Sequence, residues 1–217
     1  MKKLRIYALL AILISILLTS CGKSGSQVSE KNSPDPEDDA IQIGVTFDSF
    51  VIERWERDRD IFVSTAKDLG AEVYVQNANG SVEKQKEQIG YFIEKKMDVI
   101  VVIAVDSEAL NSEVRHAKDA GIKVVAYDRL VNNADVDLYI SFDNEMVGRF
   151  MADAIIRATG GKGSIIKING PSKDNNVSLV NKGFDQEISG TGIVVEDTYY
   201  ASEWKGEEAF NYLTEHS

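Results

Sequence analysis

Residues that staple, kink or ligate are nearly missing from this chain: one cysteine, two histidines and three prolines in 217 residues. A lone Cys21 excludes an intramolecular disulfide, and His116 and His216 cannot by themselves build a zinc site. Positive charge is also short, with 24 Lys and Arg against 35 Asp and Glu and a net charge of −11. Phosphate binding relies on clustered Lys and Arg to release counterions, so an acidic chain of this kind argues against a nucleic-acid partner. No G-x-S-x-G elbow is present, and neither histidine lies near a Ser or Cys that would complete a hydrolytic triad. Gly160-Gly161-Lys162-Gly163-Ser164 lacks the phosphate-loop spacing and precedes a strand instead of opening a helix. No residue is assigned a catalytic role, and no metal or cofactor is implied.

The cysteine that is present sits in an informative place. Lys2, Lys3 and Arg5 precede an apolar stretch from Ile6 to Leu18, followed by Thr19-Ser20-Cys21. At about 13 residues the stretch is short of the roughly 20 that a membrane-spanning helix needs. Positive residues, a short apolar run and small residues before a cut form an export signal over residues 1–20. Leu18-Thr19-Ser20-Cys21 resembles a bacterial lipobox, which makes Cys21 the expected lipidation site and anchors the protein outside the cytoplasm. Residues 21–40 carry two of the three prolines and four serines, with almost nothing apolar, and read as a flexible linker.

From residue 41 the pattern alternates. Stretches 41–47, 71–76, 98–104, 122–128, 137–142, 163–169 and 193–200 read as strands, several of them continuously apolar and β-branched, as expected where both faces are covered. Helical patterns lie between them. The first places Trp55, Phe62, Ala66 and Leu69 on one side and stops at Gly70; another places Leu110, Val114 and Ala117 together and stops at Gly121. Ser81 and Ser107 are the expected N-caps. Strands alternating with helices at this spacing predict an α/β, doubly wound architecture of parallel sheets flanked by helices.

Ligands of open parallel sheets bind beyond the carboxyl ends of the strands. There the sequence places Asp48 and Glu53-Arg54-Trp55, then Asn77 and Asn79, Asp106, Asp128-Arg129, Asp143-Asn144, Asp174-Asn175-Asn176, and Trp204. Carboxylates, amides and guanidinium forks suit bidentate bonds to neighbouring hydroxyls, and an indole covers the C–H face of a sugar ring. Asn77, Asn79, Asp106, Asp143 and Asn144 are read as caps and turn formers. Trp55 is equally suited to core packing and to ligand contact, and spacing alone does not single out Arg54 from the charged run 56–60 that follows it.

Four stretches carry a resemblance: GVTFDSFVIERWERDRDIF (44–62), VQNANGSVEKQKEQI (75–89), GIKVVAYDRLVNNADVDLYISFDNEMVG (121–148) and NGPSKDNN (169–176). They resemble the D-xylose-binding proteins of bacterial ABC transporters, within the type I periplasmic sugar-binding superfamily that includes the ribose- and galactose-binding proteins. The order of ERW, DRDIF, AYDR, YISFDNE and DNN is characteristic of the xylose group. The resemblance implies two α/β lobes closing over one monosaccharide, a first lobe at 41–141 and part of a second at 142–217. It implies that Arg54, Asp128, Arg129, Asp174 and Asn176 bond sugar hydroxyls, with Trp55 beside Arg54 and Trp204 stacked on the ring. It further implies capture of D-xylose or a close monosaccharide for an ABC permease, without any bond being broken. A sugar-dependent signal to a membrane sensor histidine kinase is the alternative partnership. Family members are considerably longer, so the chain reads as C-terminally truncated, with an incomplete second lobe and exposed apolar surface. IKINGPS at 166–172 is also more polar than the glycine-rich turn usual in the family.

Overall fold

The computed structural model describes residues 40–216. The export signal, Cys21 and the linker up to residue 39 lie outside the described residues. Seven strands and six helices are found among those described. In chain order they are β1 (Gln42–Phe47), α1 (Arg54–Asp68), β2 (Glu72–Asn77), α2 (Val82–Glu94), β3 (Val99–Val102), α3 (Asn111–Asp119), β4 (Lys123–Tyr127), β5 (Leu138–Ile140), α4 (Asn144–Thr159), β6 (Lys162–Asn169), α5 (Asn175–Ile188), β7 (Gly192–Tyr200) and α6 (Gly206–Glu215). The first five strands form one parallel sheet in the order β2-β1-β3-β4-β5, and β6 and β7 form a second, parallel pair.

Alternation along β3 explains how both faces of the larger sheet are covered. Ile100 and Val102 point into a core with Ile89 and Phe92 of α2 and Val114 of α3, whereas Val101 and Ile103 join Val45, Phe47 and Trp55 on the α1 side. Gly44 in β1 is required by this packing, because a Cβ there would lie 2.5 Å from the Phe92 ring. Buried Gln85 of α2 finishes the strand ends: its Nε2 donates to the Ile103 carbonyl at 2.9 Å and its Oε1 accepts from the Val105 amide at 2.8 Å. Backbone groups just past β3 are thereby paired, and the loop leading toward the ligand end is fixed.

Two sequence expectations are corrected. Leu69 is 81% exposed because α1 ends at Asp68 and Leu69 is its cap, followed by the left-handed Gly70. Ser107 does not cap a helix. Asp106 Oδ1 accepts from the Glu108 amide, the intervening residues form a turn, and α3 begins at Asn111 behind Leu110, which makes no side-chain cap. Ser81 does cap α2, accepting from the Lys84 amide.

Helices α4 and α5 meet through glycine. A Cβ on Gly148 would fall 2.0 Å from the Val180 carbonyl oxygen, and one on Gly183 would fall 1.9 Å from that of Glu145. The two backbones touch at both points, and this contact positions the amino end of α5. The smaller sheet and α6 are less covered: Ile166 and Val194 of the strands and Phe210 and Leu213 of the helix are exposed.

Gly183→Ala should destabilise the fold by at least about 2 kcal/mol, since overpacking must force the helices apart. Gly90→Ala, in open space on α2, should instead stabilise by about 0.5–1 kcal/mol through reduced backbone entropy. Urea unfolding of the two variants checks the pair; equal effects would contradict the close approach.

Candidate functional site

In the strand order 2-1-3 the winding of the sheet reverses between the parallel β1 and β3, so a crevice opens beyond their carboxyl ends. Loops from both sheets converge there. Arg54 and Trp55 open α1, Asp128 and Arg129 leave β4, Asp174 caps α5 with Asn176 in its first turn, and Trp204 follows β7. All seven side chains line a single cavity of about 490 Å³, together with Phe142, Asn144 and several apolar residues of α4 and α5. That volume lies within the range usual for small-molecule sites.

Two polar chains cross the cavity. In the first, Arg54 Nη2 bonds Asp128 Oδ2 at 2.5 Å, Asn176 Nδ2 donates to Asp128 Oδ1 at 2.7 Å, and Asn144 Nδ2 donates to Asn176 Oδ1 at 3.0 Å. In the second, Arg129 Nη1 bonds Asp48 Oδ2 at 2.7 Å while its Nε bonds Asp174 Oδ2 at 2.8 Å. Trp204 Nε1 donates to that same Asp174 oxygen at 3.1 Å. Each chain runs from a loop of the larger sheet to a loop of the smaller one. A direct backbone bond from the Ser107 amide to the Lys173 carbonyl, 3.0 Å, adds to them.

Local structure holds these groups in place. Asp128 has φ +61°, a left-handed conformation uncommon for a non-glycine residue. It is held by three bonds: its amide donates to the Ile140 carbonyl, and its own carbonyl accepts from Ser141 Oγ and Tyr139 OH. Strain kept by surrounding bonds is typical of a binding residue. Asp174 Oδ1 accepts from the Asn176 amide, so one carboxylate both caps α5 and receives Arg129. Trp204 is fixed by its bond to Asp174 and by Gly170, where a Cβ would sit 2.4 Å from the indole.

The aromatic residues divide their work. Trp55 is 1% exposed and packs edge-on against Phe47 and Tyr127, with the Arg54 guanidinium 4.2 Å from its ring centroid. Its Nε1 is buried without a hydrogen-bond partner. The core role considered from the sequence is met, and the ring also lines the cavity with an unused donor. Trp204 is 40% exposed and offers a ring face to the cavity.

Asn144 was missed by sequence reasoning, which read it as a cap. The true cap is Asp143, whose Oδ1 accepts from the Met146 amide. The signal lay in the Asp143-Asn144 doublet, because only one residue can cap a helix and the second is free for the cavity. Asn77 and Asp106 do serve turns, accepting from the Asn79 and Glu108 amides. Among the described residues no group of three His, Cys, Asp or Glu could hold a metal ion, and no helix is long and apolar enough to cross a membrane. The cavity offers donors, acceptors and ring faces, suited to a compact polyhydroxylated ligand.

Comparison with known proteins agrees with this chemistry. The periplasmic binding protein domain family matches residues 43–215. The D-xylose-binding periplasmic protein of Haemophilus influenzae is 40% identical over 203 residues, covering 92% of this chain and 59% of that relative. Its namesake from Escherichia coli is 41% identical over 175 residues, covering 81% of this chain and 49% of the relative. The chain thus spans about half the length of these relatives. The fructose-binding periplasmic domain of a hybrid two-component system superposes with a TM-score of 0.74 at 25% identity, covering 82% of this chain and 60% of that one.

Burial pushes the Asp174 carboxyl above its ordinary 3.8, against the opposing pull of Arg129, the Asn176 amide and the Trp204 indole. The folded chain therefore takes up this proton at higher pH than the unfolded chain. Between 3.8 and the raised value this group makes stability fall as pH rises, and its cost is fully present at neutral pH. Asp174→Asn should remove that component, so the difference in unfolding free energy between parent and variant should change with pH just above 3.8 and flatten toward neutrality. Chemical denaturation at a series of pH values from mildly acidic to neutral checks it; a difference that does not vary with pH would contradict the assignment.

Proposed function

The chain belongs to the periplasmic binding protein family, and from that premise we propose that it captures D-xylose, or a close monosaccharide, between two α/β lobes at 41–141 and 142–217. The single observation that carries this reading is the convergence of Arg54, Trp55, Asp128, Arg129, Asp174, Asn176 and Trp204 on one cavity. Several of these groups pair with one another. A sugar hydroxyl entering between Arg54 and Asp128, or between Asp128 and Asn176, accepts from the cationic or amide nitrogen and donates to the carboxylate. The internal bonds are exchanged for ligand bonds at small net cost, while Trp204 covers a ring face. An epimer that leaves one of these buried groups unpaired loses about 1–3 kcal/mol.

No bond of the sugar is broken, and the mechanism is closure. Because the ligand contacts residues of both lobes, it favours the closed arrangement by the difference in its affinity for closed and open forms. The outer surface changes with closure, and the proposed reader of that change is the permease of an ABC importer. Signalling to a membrane sensor kinase is the second reading, favoured by the likeness to a sugar-binding domain of a two-component system. Export by the leader over residues 1–20 and lipidation at Cys21 would hold the protein at the outer face of the cell membrane.

Arg54 is the most accessible charged residue of the site, with a side chain 39% exposed, and its removal leaves the buried Asp128 carboxylate with the Asn176 amide. Arg54→Ala should weaken D-xylose binding about tenfold or more, equivalent to about 1.4 kcal/mol. Titration calorimetry reads the affinity, and unchanged binding would take Arg54 out of the site. Cys21→Ala should move the protein from the membrane fraction to the soluble fraction; retention on the membrane would refute the anchor.

A further inference from the structure

A second cavity, of about 350 Å³, adjoins the first and belongs to no role assigned above. Arg129 and Trp204 line both cavities and form the wall between them. Its lining includes the Asp48 carboxylate, the Phe50 ring and the Asn77 and Asn79 amides, as well as the charged Lys173, Glu203 and Lys205. Loops from both sheets close over it, as shown by Gly80 beyond β2, where a Cβ would lie 3.6 Å from Glu203 Oε1 beyond β7.

Unused bonding capacity marks the place. Asp48 Oδ2 receives Arg129, but Asp48 Oδ1 is buried without a hydrogen-bond partner. Buried carboxylate oxygens are normally paired, and one that is not awaits a donor. Arg129 uses Nη1 and Nε, and its Nη2 makes no bond among the described residues. The Asn79 side chain is exposed and stands on a backbone with φ +51°. An unpaired acceptor, a free guanidinium nitrogen, amides and an aromatic ring together form a second set of groups fitted to a hydroxylated ring.

We propose that this cavity is a second carbohydrate subsite, so that the chain holds a disaccharide of pentose units with one ring in each cavity and the glycosidic oxygen passing beside Arg129 and Trp204. The proposal rests on reading the first cavity as a sugar site. The second ring donates a hydroxyl toward Asp48, accepts from Arg129, and lies against Phe50. A free monosaccharide fills only the first cavity and leaves these groups unused.

Calorimetric titration of the full chain with D-xylose and with β-1,4-xylobiose tests it. Xylobiose should bind at a ratio of one per chain and about tenfold tighter than xylose. Asn79→Gly removes the amide at a position whose backbone suits glycine, and it should erase most of that gain while leaving xylose affinity unchanged. Phe50→Leu, retaining an apolar neighbour for Phe47, should do the same. Xylose binding with no advantage for xylobiose would overturn the second subsite and leave the monosaccharide reading standing. An advantage that survives both substitutions would place the second ring elsewhere and also overturn it. Failure of both sugars to bind would defeat the sugar reading itself and this inference with it.

Discussion

The Arg129 guanidinium is the constraint on which the rest of the site depends. At 4% exposure it lies between two carboxylates that are also buried, Asp48 from the end of β1 and Asp174 from the start of α5. A charge withdrawn from water is tolerated only when its partners compensate for lost hydration, and removing one member of such a set strands the others at a cost of about 3–5 kcal/mol. Asp48 and Asp174 come from the two different sheets, so the same ionic contact that satisfies the arginine also ties the sheets' loops together. Candidate binding group and structural tie are one residue here, so replacing Arg129 would change stability along with any ligand contact.

The scaffold brings those carboxylates within reach by means that have no chemistry of their own. Phe92 over Gly44 and the covered faces of β3 seat β1, and Gln85 completes the pairing at the end of β3. On the other side, glycines 148 and 183 allow α4 and α5 to touch backbone to backbone, and that contact sets where α5 begins. Asp174 then acquires its position as a helix cap before it acquires any role toward a ligand. The left-handed turn at Asp128 sends two successive side chains, Asp128 and Arg129, into the two crossing polar chains. The groups of the site pair largely with one another, while Asp48 Oδ1 and Trp55 Nε1 keep unused capacity.

Much of this was legible in residue order. The alternation from Ile41 to Tyr200 specified parallel sheets with helices between strands, and the strand stretches match the observed ones to within two residues at their ends. Cap-type residues at strand ends marked the ligand side. Those same residues were where sequence reasoning reached its limit, because an Asp or Asn satisfies a helix amide and a ligand with the same oxygen. Asn144 shows the failure and Asp174 the ambiguity: Asp143 took the cap and released Asn144, while Asp174 does both jobs. Ser107 shows the converse, a cap-type residue whose flanking turn delays the helix to Asn111.

The sequence by itself determined the fold class, the order of its elements and the composition of the candidate site, since all of these follow from local periodicity and residue type. The tertiary structure alone decided which of the polar residues share a cavity, which carboxylates flank Arg129, and that Trp55 is both core and cavity wall. It also decided that Asp48 keeps an unpaired oxygen beside a second cavity. The reason is distance: Asp48, Arg129 and Asp174 are far apart along the chain, and only sheet order and helix packing bring them into bonding contact.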